Sequence, residues 1–564
     1  MHLRTTARWV VVALAMAGGA GRVVGQAGGP AGGSPAAGGT ASGGKLTCTI
    51  DHRTPSEPEK ALRARRFADA ERLFGEALTA APASSDAMAG LVRTTLAEDK
   101  LPEALALAIK FDKEHPSDPV LIDALGEVRF RRGEVQEAAN AFIQSNKLDP
   151  CNGLTHFDVA RYLNLSGMYL SSQRQLEIAH TLSPDNPQIE RRWRTTHAIP
   201  RTPDQQLAFL RERVANAPPS MTDEVKEGIQ AAIKGIETRE KGSCQLVSPV
   251  QETKLPIVPI SNGVAQTQED IQGAGLDVLF NGKRKRLEID TGASGILLSR
   301  SAARNAGLVP ELEIKSGGIG DEGLASAFVT HVDDIKVGSM EFKNCMVQVL
   351  EKSSALDIDG LIGPDVFRDY LVTLDIPGRE VRIGPLPKRP DEAPSKPTGL
   401  ATSDVEETPL SIADRAKDPY VAPEMKDWTP VFRAGHDLIF PTMIGNAPVK
   451  LFMMDTGAQH GMITPAAARE VTHVSGNTDM RVRGINGEVK NVMVADRVTI
   501  TFARVQQMLP DMTAYDSSML AHTAGVEISG LIGFPTLREL VISIDYRDNL
   551  VHVVYDPKKG FHAH

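Results

Sequence analysis

The chain has 564 residues, of which 41% are hydrophobic and 24% charged, an ordinary composition for globular protein that excludes disorder throughout. Its 62 basic and 71 acidic residues give a net charge of -9, which leaves no electrostatic footprint for nucleic acid. The length allows several domains, and no polyanionic partner is expected.

The first 25 residues have the three-part pattern of a secretory signal peptide. Basic residues up to Arg8 precede an apolar stretch from Trp9 to about Ala20, and small residues follow near Gly25. A membrane anchor is the alternative, but the apolar run falls short of the ~20 residues that a spanning helix needs. We therefore expect an exported protein, periplasmic or secreted, with no membrane span after cleavage.

Export makes the four cysteines candidates for disulfides, with three possible pairings that the sequence does not rank. They are Cys48, Cys151, Cys244 and Cys345. The alternative is that some are buried free thiols. Their wide spacing argues against a zinc site, so we predict neither a metal nor a cofactor.

Residues 26–46 consist almost entirely of Gly, Ala, Pro, Ser and Thr. Such a tract cannot bury enough apolar area to offset the entropy lost on ordering, so we predict a flexible tether. Helical periodicity begins after it and defines a predicted helical domain at residues 47–242.

The helical domain has an internal period of 34 residues, marked by prolines at the ends of successive amphipathic helices. These prolines are Pro82, Pro116, Pro150 and Pro184. A 34-residue period is typical of tetratricopeptide repeats, and the region resembles three to four of them from about Asp51 to Pro184. The array is either a protein-binding groove or a stacking spacer, and the sequence leaves both readings open.

Residues 243–273 break the helical pattern and predict a linker or the first strand of the next domain. Strand-like runs then begin, and Asn281-Gly282 separates two of them in a strong hairpin signal. The second run leads into Asp290-Thr291-Gly292. An apolar run that ends in this way predicts a buried strand delivering a carboxylate to a tight turn, where glycine permits close backbone approach.

The same series of motifs occurs a second time along the chain. Asp455-Thr456-Gly457 lies 165 residues after the first turn, and Gly-Leu-Ile-Gly occurs at both Gly360 and Gly530. Residues 387–430 are rich in Pro and charged residues and predict a linker. The nearly constant offset predicts two lobes, at residues 274–386 and 431–557, that are internal copies of each other.

Two carboxylates within hydrogen-bonding distance can hydrolyse a peptide bond without a metal or a covalent intermediate. Like charges that close cannot both ionise, so the pair holds one proton and can act as both base and acid; aspartic proteases are the standard example of this pairing. One Asp-Thr-Gly would be weak evidence, but two copies followed at similar distances by Gly-Leu-Ile-Gly are far more specific.

With these motifs the sequence resembles the retropepsin-like aspartic proteases over about Ala274 to Pro557. The resemblance implies Asp290 and Asp455 as the catalytic dyad. It implies support of the dyad by Thr291, Gly292, Thr456 and Gly457, and of the loops by Ile362, Gly363, Ile532 and Gly533. It also implies substrate-covering flaps at Gly318, Ile319 and Gly320 and at Gly484, Ile485 and Gly487.

One position departs from the family pattern. After Asp-Thr-Gly-Ala the family places Ser or Asp, and Ser294 fits whereas Gln459 does not. This difference leaves the hydrogen bonding of the second loop open.

The expected fold is a multidomain α + β chain, with an N-terminal tetratricopeptide-like solenoid followed by two all-β retropepsin-like lobes. The expected function is an aspartic endopeptidase acting on protein or peptide substrates, with the repeats as a possible protein-binding surface. Two alternatives are a non-catalytic peptide-binding scaffold and a protease whose lobes pair between chains.

Overall fold

The structure is a computed structural model that describes residues 48–197, 203–217, 244–248, 252–261, 271–316, 325–351, 358–390, 417–476, 481–485, 487–516 and 525–556, with isolated helical positions between 226 and 237. The described chain divides into two compact units. One is helical and takes in residues 48–130, 137–163 and 171–197, and the other is mainly β and takes in the remainder.

Ten helices precede the first strand in the described part of the chain. They are α1 (Glu57–Arg63), α2 (Phe67–Ala80), α3 (Ser85–Ala97), α4 (Leu101–Glu114), α5 (Pro119–Arg131), α6 (Val135–Leu148), α7 (Gly153–Leu165), α8 (Tyr169–Leu182), α9 (Pro187–His197) and α10 (Pro203–Ala215). None of the described helices is long and apolar enough to cross a membrane.

The 34-residue period is visible in how these helices begin. Ser84, Asp118, Asn152 and Asn186 precede α3, α5, α7 and α9, and each side-chain oxygen accepts backbone N–H bonds from the first turn. Such caps satisfy donors that a helix leaves unpaired at its start. The period therefore fixes helix boundaries as well as packing.

The same period sets the contacts within the helical unit. Ala70, Ala104 and Ala138 are each 34 residues apart and completely buried, and small side chains there let neighbouring helices approach closely. The predicted repeat architecture is confirmed.

The β unit contains two lobes whose sheets have the same strand order. The first lobe has β1 (Gln245–Leu246), β3 (Val258–Ser261), β4 (Ile271–Phe280), β5 (Lys283–Ile289), β6 (Ile296–Leu298), α11 (Arg300–Asn305), β7 (Leu312–Ser316), β8 (Ala325–Val337), β9 (Met340–Leu350) and β10 (Gly360–Ile362). The second has β14 (Phe432–Ala434), β15 (Asp437–Ile444), β16 (Lys450–Met454), β17 (Met462–Ile463), α12 (Pro465–Arg469), β18 (Val474–Gly476), β19 (Val482–Gly484), β20 (Gly487–Val489), β21 (Met493–Phe502), β22 (Val505–Ala514), β23 (Gly530–Ile532) and α13 (Phe534–Leu537).

The equivalence of the two lobes is clearest around the strands that carry the acids. The order β9-β6-β10-β5-β4 in the first lobe corresponds to β22-β17-β23-β16-β15 in the second. In each lobe the Gly-Leu-Ile strand runs parallel to the strand that carries the acid and antiparallel to the strand that follows it. The two lobes are therefore internal copies in topology.

A six-stranded sheet joins the lobes. Its strands are β2 (Thr253–Pro256), β11 (Leu371–Asp375), β12 (Glu380–Gly384), β13 (Thr429–Pro430), β24 (Leu540–Asp545) and β25 (Leu550–Tyr555). Strands β11 and β24 are copies that pair with each other, and the hydroxyls of Thr373 and Ser543 lie 2.9 Å apart at the centre of their register. One continuous apolar core extends from the first lobe through this sheet into the second.

All four cysteines are paired. Cys48 bonds to Cys151 in the helical unit and Cys244 bonds to Cys345 in the β unit. Of the three pairings that the sequence left open, the structure contains the one that keeps each disulfide within a single unit.

Candidate active site

Strands β5 and β16 each deliver an aspartate to the same place. Asp290 and Asp455 follow the last residues of these strands, and both are more than nine-tenths buried. The backbone N–H of Asp290 donates to Ile362 O at 3.0 Å, and that of Asp455 donates to Ile532 O at 3.1 Å. The parallel strands β10 and β23 therefore fix the backbone that carries each acid.

The glycines after β10 and β23 are needed for close approach. A Cβ at Gly363 would lie 2.2 Å from Ala293 O, and a Cβ at Gly533 would lie 2.6 Å from the carbonyl carbon of His460. Any side chain would push these segments away from the acid-bearing loops. The four residues predicted to support the loops, Ile362, Gly363, Ile532 and Gly533, lie at these positions.

The carboxyl groups of Asp290 and Asp455 hydrogen-bond to each other. The loop glycines make this possible from both sides: a Cβ at Gly292 would lie 2.9 Å from Asp455 Cγ, and a Cβ at Gly457 would lie 2.5 Å from Asp290 Cγ. Each lobe's glycine thus faces the other lobe's acid. The two carboxyls meet within a single chain.

The threonines of the two loops reach across to the opposite lobe. Thr291 donates its hydroxyl to Met454 O at 2.9 Å, and Thr456 donates its hydroxyl to Ile289 O at 2.7 Å. Each hydroxyl also accepts the other threonine's backbone N–H at 3.0 Å. Both threonines are 1% exposed, so this network lies in a low-dielectric setting where its bonds are strong.

The two acids differ in the donors that they receive. Asp290 Oδ1 accepts one backbone N–H, from Gly292 at 2.8 Å. Asp455 Oδ1 accepts two, from Gly457 at 3.0 Å and Ala458 at 2.9 Å. Hydrogen bonds to the charged form stabilise it, so the second donor favours ionisation of Asp455 over that of Asp290.

Burial and neighbouring charge both keep a proton on the pair. Burial, with repulsion from Asp455 and Glu288, holds the pKa of Asp290 well above its usual range. Burial also raises the pKa of Asp455, against the lowering effect of its hydrogen bonds. The arrangement therefore favours one proton and one negative charge on the pair, which titrates as a unit.

Ser294 and Gln459 show how the two loops differ. Ser294 donates to Asp365 Oδ2 at 3.1 Å, and Asp365 Oδ1 also accepts the backbone N–H of Gly295 at 3.0 Å. Gln459 instead donates to Gln272 of the first lobe at 3.3 Å. The second copy has Pro535 where the first has Asp365. The second loop therefore lacks both the serine and the carboxylate that accepts the hydrogen bond of the serine.

Sequence reasoning missed three acidic or basic side chains beside the dyad. Glu288 lies two residues before Asp290 and contributes to the raised pKa of Asp290. Asp437 acts in the same direction on Asp455. His436 Nε2 lies 3.1 Å from Asp437 Oδ1 and 3.2 Å from Gly292 O. The sequence signal for Glu288 was the difference between the two copies, because Met453 occupies the corresponding position two residues before Asp455.

The second predicted flap is a two-stranded hairpin of β19 and β20, with Gly484, Ile485 and Gly487 at or beside its turn. Ile485 packs against an apolar cluster of the first lobe that includes Leu297 and Leu361. The first predicted flap, with Gly318, Ile319 and Gly320, lies outside the described residues. Its flanking strands β7 and β8 pair as a hairpin.

Among the described residues, one group of side chains has a donor set that could hold a metal ion, and it lies in the helical unit. Asp123, Glu127 and Asp158 converge there. Arg93 bonds to Glu127 and Asp123, and Arg161 bonds to Asp158. Because these arginines already balance most of the negative charge, the group is better explained as an internal ion network.

The sequence matches two protein families. Residues 276–366 and 440–536 match the aspartyl protease family, and residues 61–127 match a tetratricopeptide repeat family. Among solved structures, the aspartic proteinase from Irpex lacteus aligns with 13% identity and a TM-score of 0.32, covering 54% of this chain and 98% of that one. A comparison with curated proteins found no match. The aspartyl protease match lies within the two β lobes, and the tetratricopeptide match lies within helices α1 to α5 of the helical unit.

Proposed function

We propose that this chain, whose two β lobes are of the aspartyl protease family and whose N-terminal helices are tetratricopeptide repeats, is a retropepsin-like aspartic endopeptidase with both halves of its dyad in one polypeptide. The observation that carries the proposal is the hydrogen-bonded pair of buried carboxyls at Asp290 and Asp455. Such a pair is suited to move protons in both directions during attack on a peptide bond.

The donor asymmetry assigns starting roles to the two acids. Asp455, ionised and stabilised by two backbone N–H groups, takes a proton from water as the water oxygen attacks the scissile carbonyl carbon. Asp290 gives its proton to the carbonyl oxygen, which yields a neutral tetrahedral diol. The diol returns a proton to Asp290, and the leaving nitrogen takes the proton held by Asp455 as the C–N bond breaks, which restores the pair.

The rigid setting of the pair supports catalysis over mere binding. The threonine network holds both loops at fixed positions, so little reorganisation is needed as charge moves during reaction. A scaffold that only binds peptide has no need for two buried carboxyls that face each other, because their burial costs folding free energy.

The β19–β20 hairpin supplies a cover for the site. We infer that it moves to admit an extended peptide and then excludes water, as lids do in many enzymes. The described contact of Ile485 with the first lobe corresponds to a covered site. Residues 318–320 are proposed to act in the same way from the first lobe.

We further propose that the protein is exported and that its repeats bind protein. The pairing of all four cysteines supports export, because disulfides persist in oxidising compartments. Solenoid surfaces often bind peptide segments, so the repeats are candidates to recruit protein substrates.

The function is tested by hydrolysis of an unfolded protein, followed by the release of new amino termini. The wild-type chain is expected to cleave it, with inhibition by a general aspartic-protease inhibitor, and Asp290→Asn and Asp455→Asn are each expected to lose about 10³-fold or more in kcat. Asp277→Asn, which alters a partly exposed acid that pairs with Arg286, is the matched control. Unchanged hydrolysis in both dyad variants would refute the proposal.

A further inference from the structure

A row of three side chains beside the dyad differs between the lobes. In the first lobe the register pairs Glu288 with Leu361 and Leu361 with Leu297, across β5, β10 and β6. Register partners share one face of a sheet. Since Leu287 and Ile289 are buried in the core behind this sheet, Glu288 lies on the opposite face.

The equivalent row of the second lobe is entirely apolar. It runs from Met453 through Leu531 to Met462, across β16, β23 and β17. All three side chains are buried. The copies therefore present matching rows on either side of the dyad, and only the row of the first lobe carries an acid.

The fold makes room for the Glu288 carboxyl. Gly275 is its register partner on β4, and Gly273 lies on the same face two residues earlier. A Cβ at Gly273 would come within 2.1 Å of Glu288 Oε1, so a side chain there would displace the carboxyl. In the second lobe the place of Gly275 is taken by Ile439, the register partner of Met453.

In the described part of the chain, Glu288 has no counter-charge. Within the described residues no basic side chain lies within 4.0 Å of its carboxyl. Arg286, two residues earlier on the same face, pairs with Asp277 at 3.1 Å. Burial, with repulsion from Asp455, raises the pKa of Glu288 to about 8. The ionised form of such a carboxyl is stabilised when a cation binds beside it.

We propose that Glu288 is a specificity-determining residue that binds a lysine or arginine side chain of the peptide substrate on one side of the scissile bond, while the Met453 row receives an apolar side chain on the other. This inference rests on the proposed function. The aliphatic stem of the substrate residue would contact Leu361 while its cationic end reaches the carboxyl, which suits the amphipathic character of lysine and arginine.

The test compares peptides that carry lysine, norleucine or glutamine on one side of the scissile bond and leucine on the other, in both orientations. For the wild-type chain, kcat/KM is expected to favour lysine over norleucine by about tenfold or more in one orientation only. Glu288→Gln and Glu288→Met, which copies Met453, should reduce this ratio to within about twofold. Glu288→Asp should retain part of it.

The control variant is Glu341→Gln, which alters a partly exposed acid of the same lobe that pairs with Lys336 and Lys343. It should leave the lysine preference unchanged. A wild-type chain that cleaves the norleucine or glutamine peptide as well as the lysine peptide would overturn the inference and leave the proposed function intact. A preference that survives in Glu288→Gln would overturn it equally.

A binding measurement makes the inference independent of catalysis. In the Asp290→Asn background, fluorescence anisotropy of labelled lysine and norleucine peptides should show tighter binding of lysine, lost on adding Glu288→Gln. Equal affinities for the two peptides would overturn the assignment of Glu288. Failure of the wild-type chain to cleave any peptide would refute the endopeptidase alone, because the binding preference would still be measured.

Discussion

Thr291 and Thr456 exchange hydrogen bonds across the two lobes: the backbone N–H of each donates to the hydroxyl of the other, at 3.0 Å in both directions. Each hydroxyl in turn donates to a carbonyl of the opposite strand. The exchange links the residues next to both acids, so the separation of the carboxyls depends on it.

Replacing Thr291 with Val should damage both stability and catalysis. The change leaves the N–H of Thr456 and the carbonyl of Met454 without their partner in a buried setting, which costs about 1–3 kcal/mol per orphaned group. We expect a lower free energy of unfolding by urea and a reduced kcat. Thr291→Ser keeps the hydroxyl and should stay close to wild type; an unaffected Thr291→Val would contradict the role given to the exchange.

Ser294 and Asp365, which bond to each other, should contribute unequally to the free energy of unfolding. Asp365→Ala removes the acceptor of the buried Gly295 N–H and should cost about 1–3 kcal/mol of unfolding free energy. Ser294→Ala removes one hydrogen bond and should cost about 1 kcal/mol or less. Gln459→Ala, at an exposed contact, should be nearly neutral. Thermal or urea unfolding of the three variants decides the order.

The pH dependence of kcat/KM should respond to Glu288. Activity requires one proton on the dyad, and burial with negative neighbours raises the pKa of Asp290. The alkaline limb of the pH profile of kcat/KM should therefore lie above the usual pKa range of an aspartate. Glu288→Gln removes one of these negative charges and should therefore move the limb to lower pH. Asp455 and Asp437 remain and should keep it above that range. A limb that stays in place or moves to higher pH would contradict the electrostatic account.

The two disulfides should stabilise different parts of the chain. Each closes a long loop, with sequence separations of 103 and 101 residues, for which the chain-entropy model gives about 4–5 kcal/mol. Cys244→Ser with Cys345→Ser should lower the unfolding free energy of the β unit and reduce activity at elevated temperature. Cys48→Ser with Cys151→Ser should instead affect the helical unit, as followed by far-ultraviolet circular dichroism. Equal effects of both pairs on activity would contradict this division.

The sequence was sufficient to predict the repeats and the duplication, because both depend on local patterns that recur at fixed intervals. The 34-residue period predicted the repeats, and it also fixes the helix caps at Ser84 and Asp118. The matching Asp290 and Asp455 motifs predicted two equivalent lobes, which the structure contains. The contact of their carboxyls in one chain was left open by the sequence.

The details around the dyad depend on contacts between distant residues, and the sequence pattern did not reveal them. Gln459 was recognised as a departure, but its partner Gln272 lies 187 residues away. The pairing of β11 with β24, centred on Thr373 and Ser543, could not be predicted because the sequence of each strand is that of an ordinary strand within one lobe. The proximity of Glu288 to Asp455 could be seen only in the folded structure of both lobes.

The most direct test of the account is complementation between the two dyad variants. Wild-type chain, Asp290→Asn, Asp455→Asn and an equimolar mixture of the two variants are incubated with an unfolded protein, and new amino termini are counted. A dyad completed within one chain predicts that the wild type is active and that the mixture stays as inactive as either variant. Recovery of activity in the mixture, or undiminished activity in either single variant, would contradict the account.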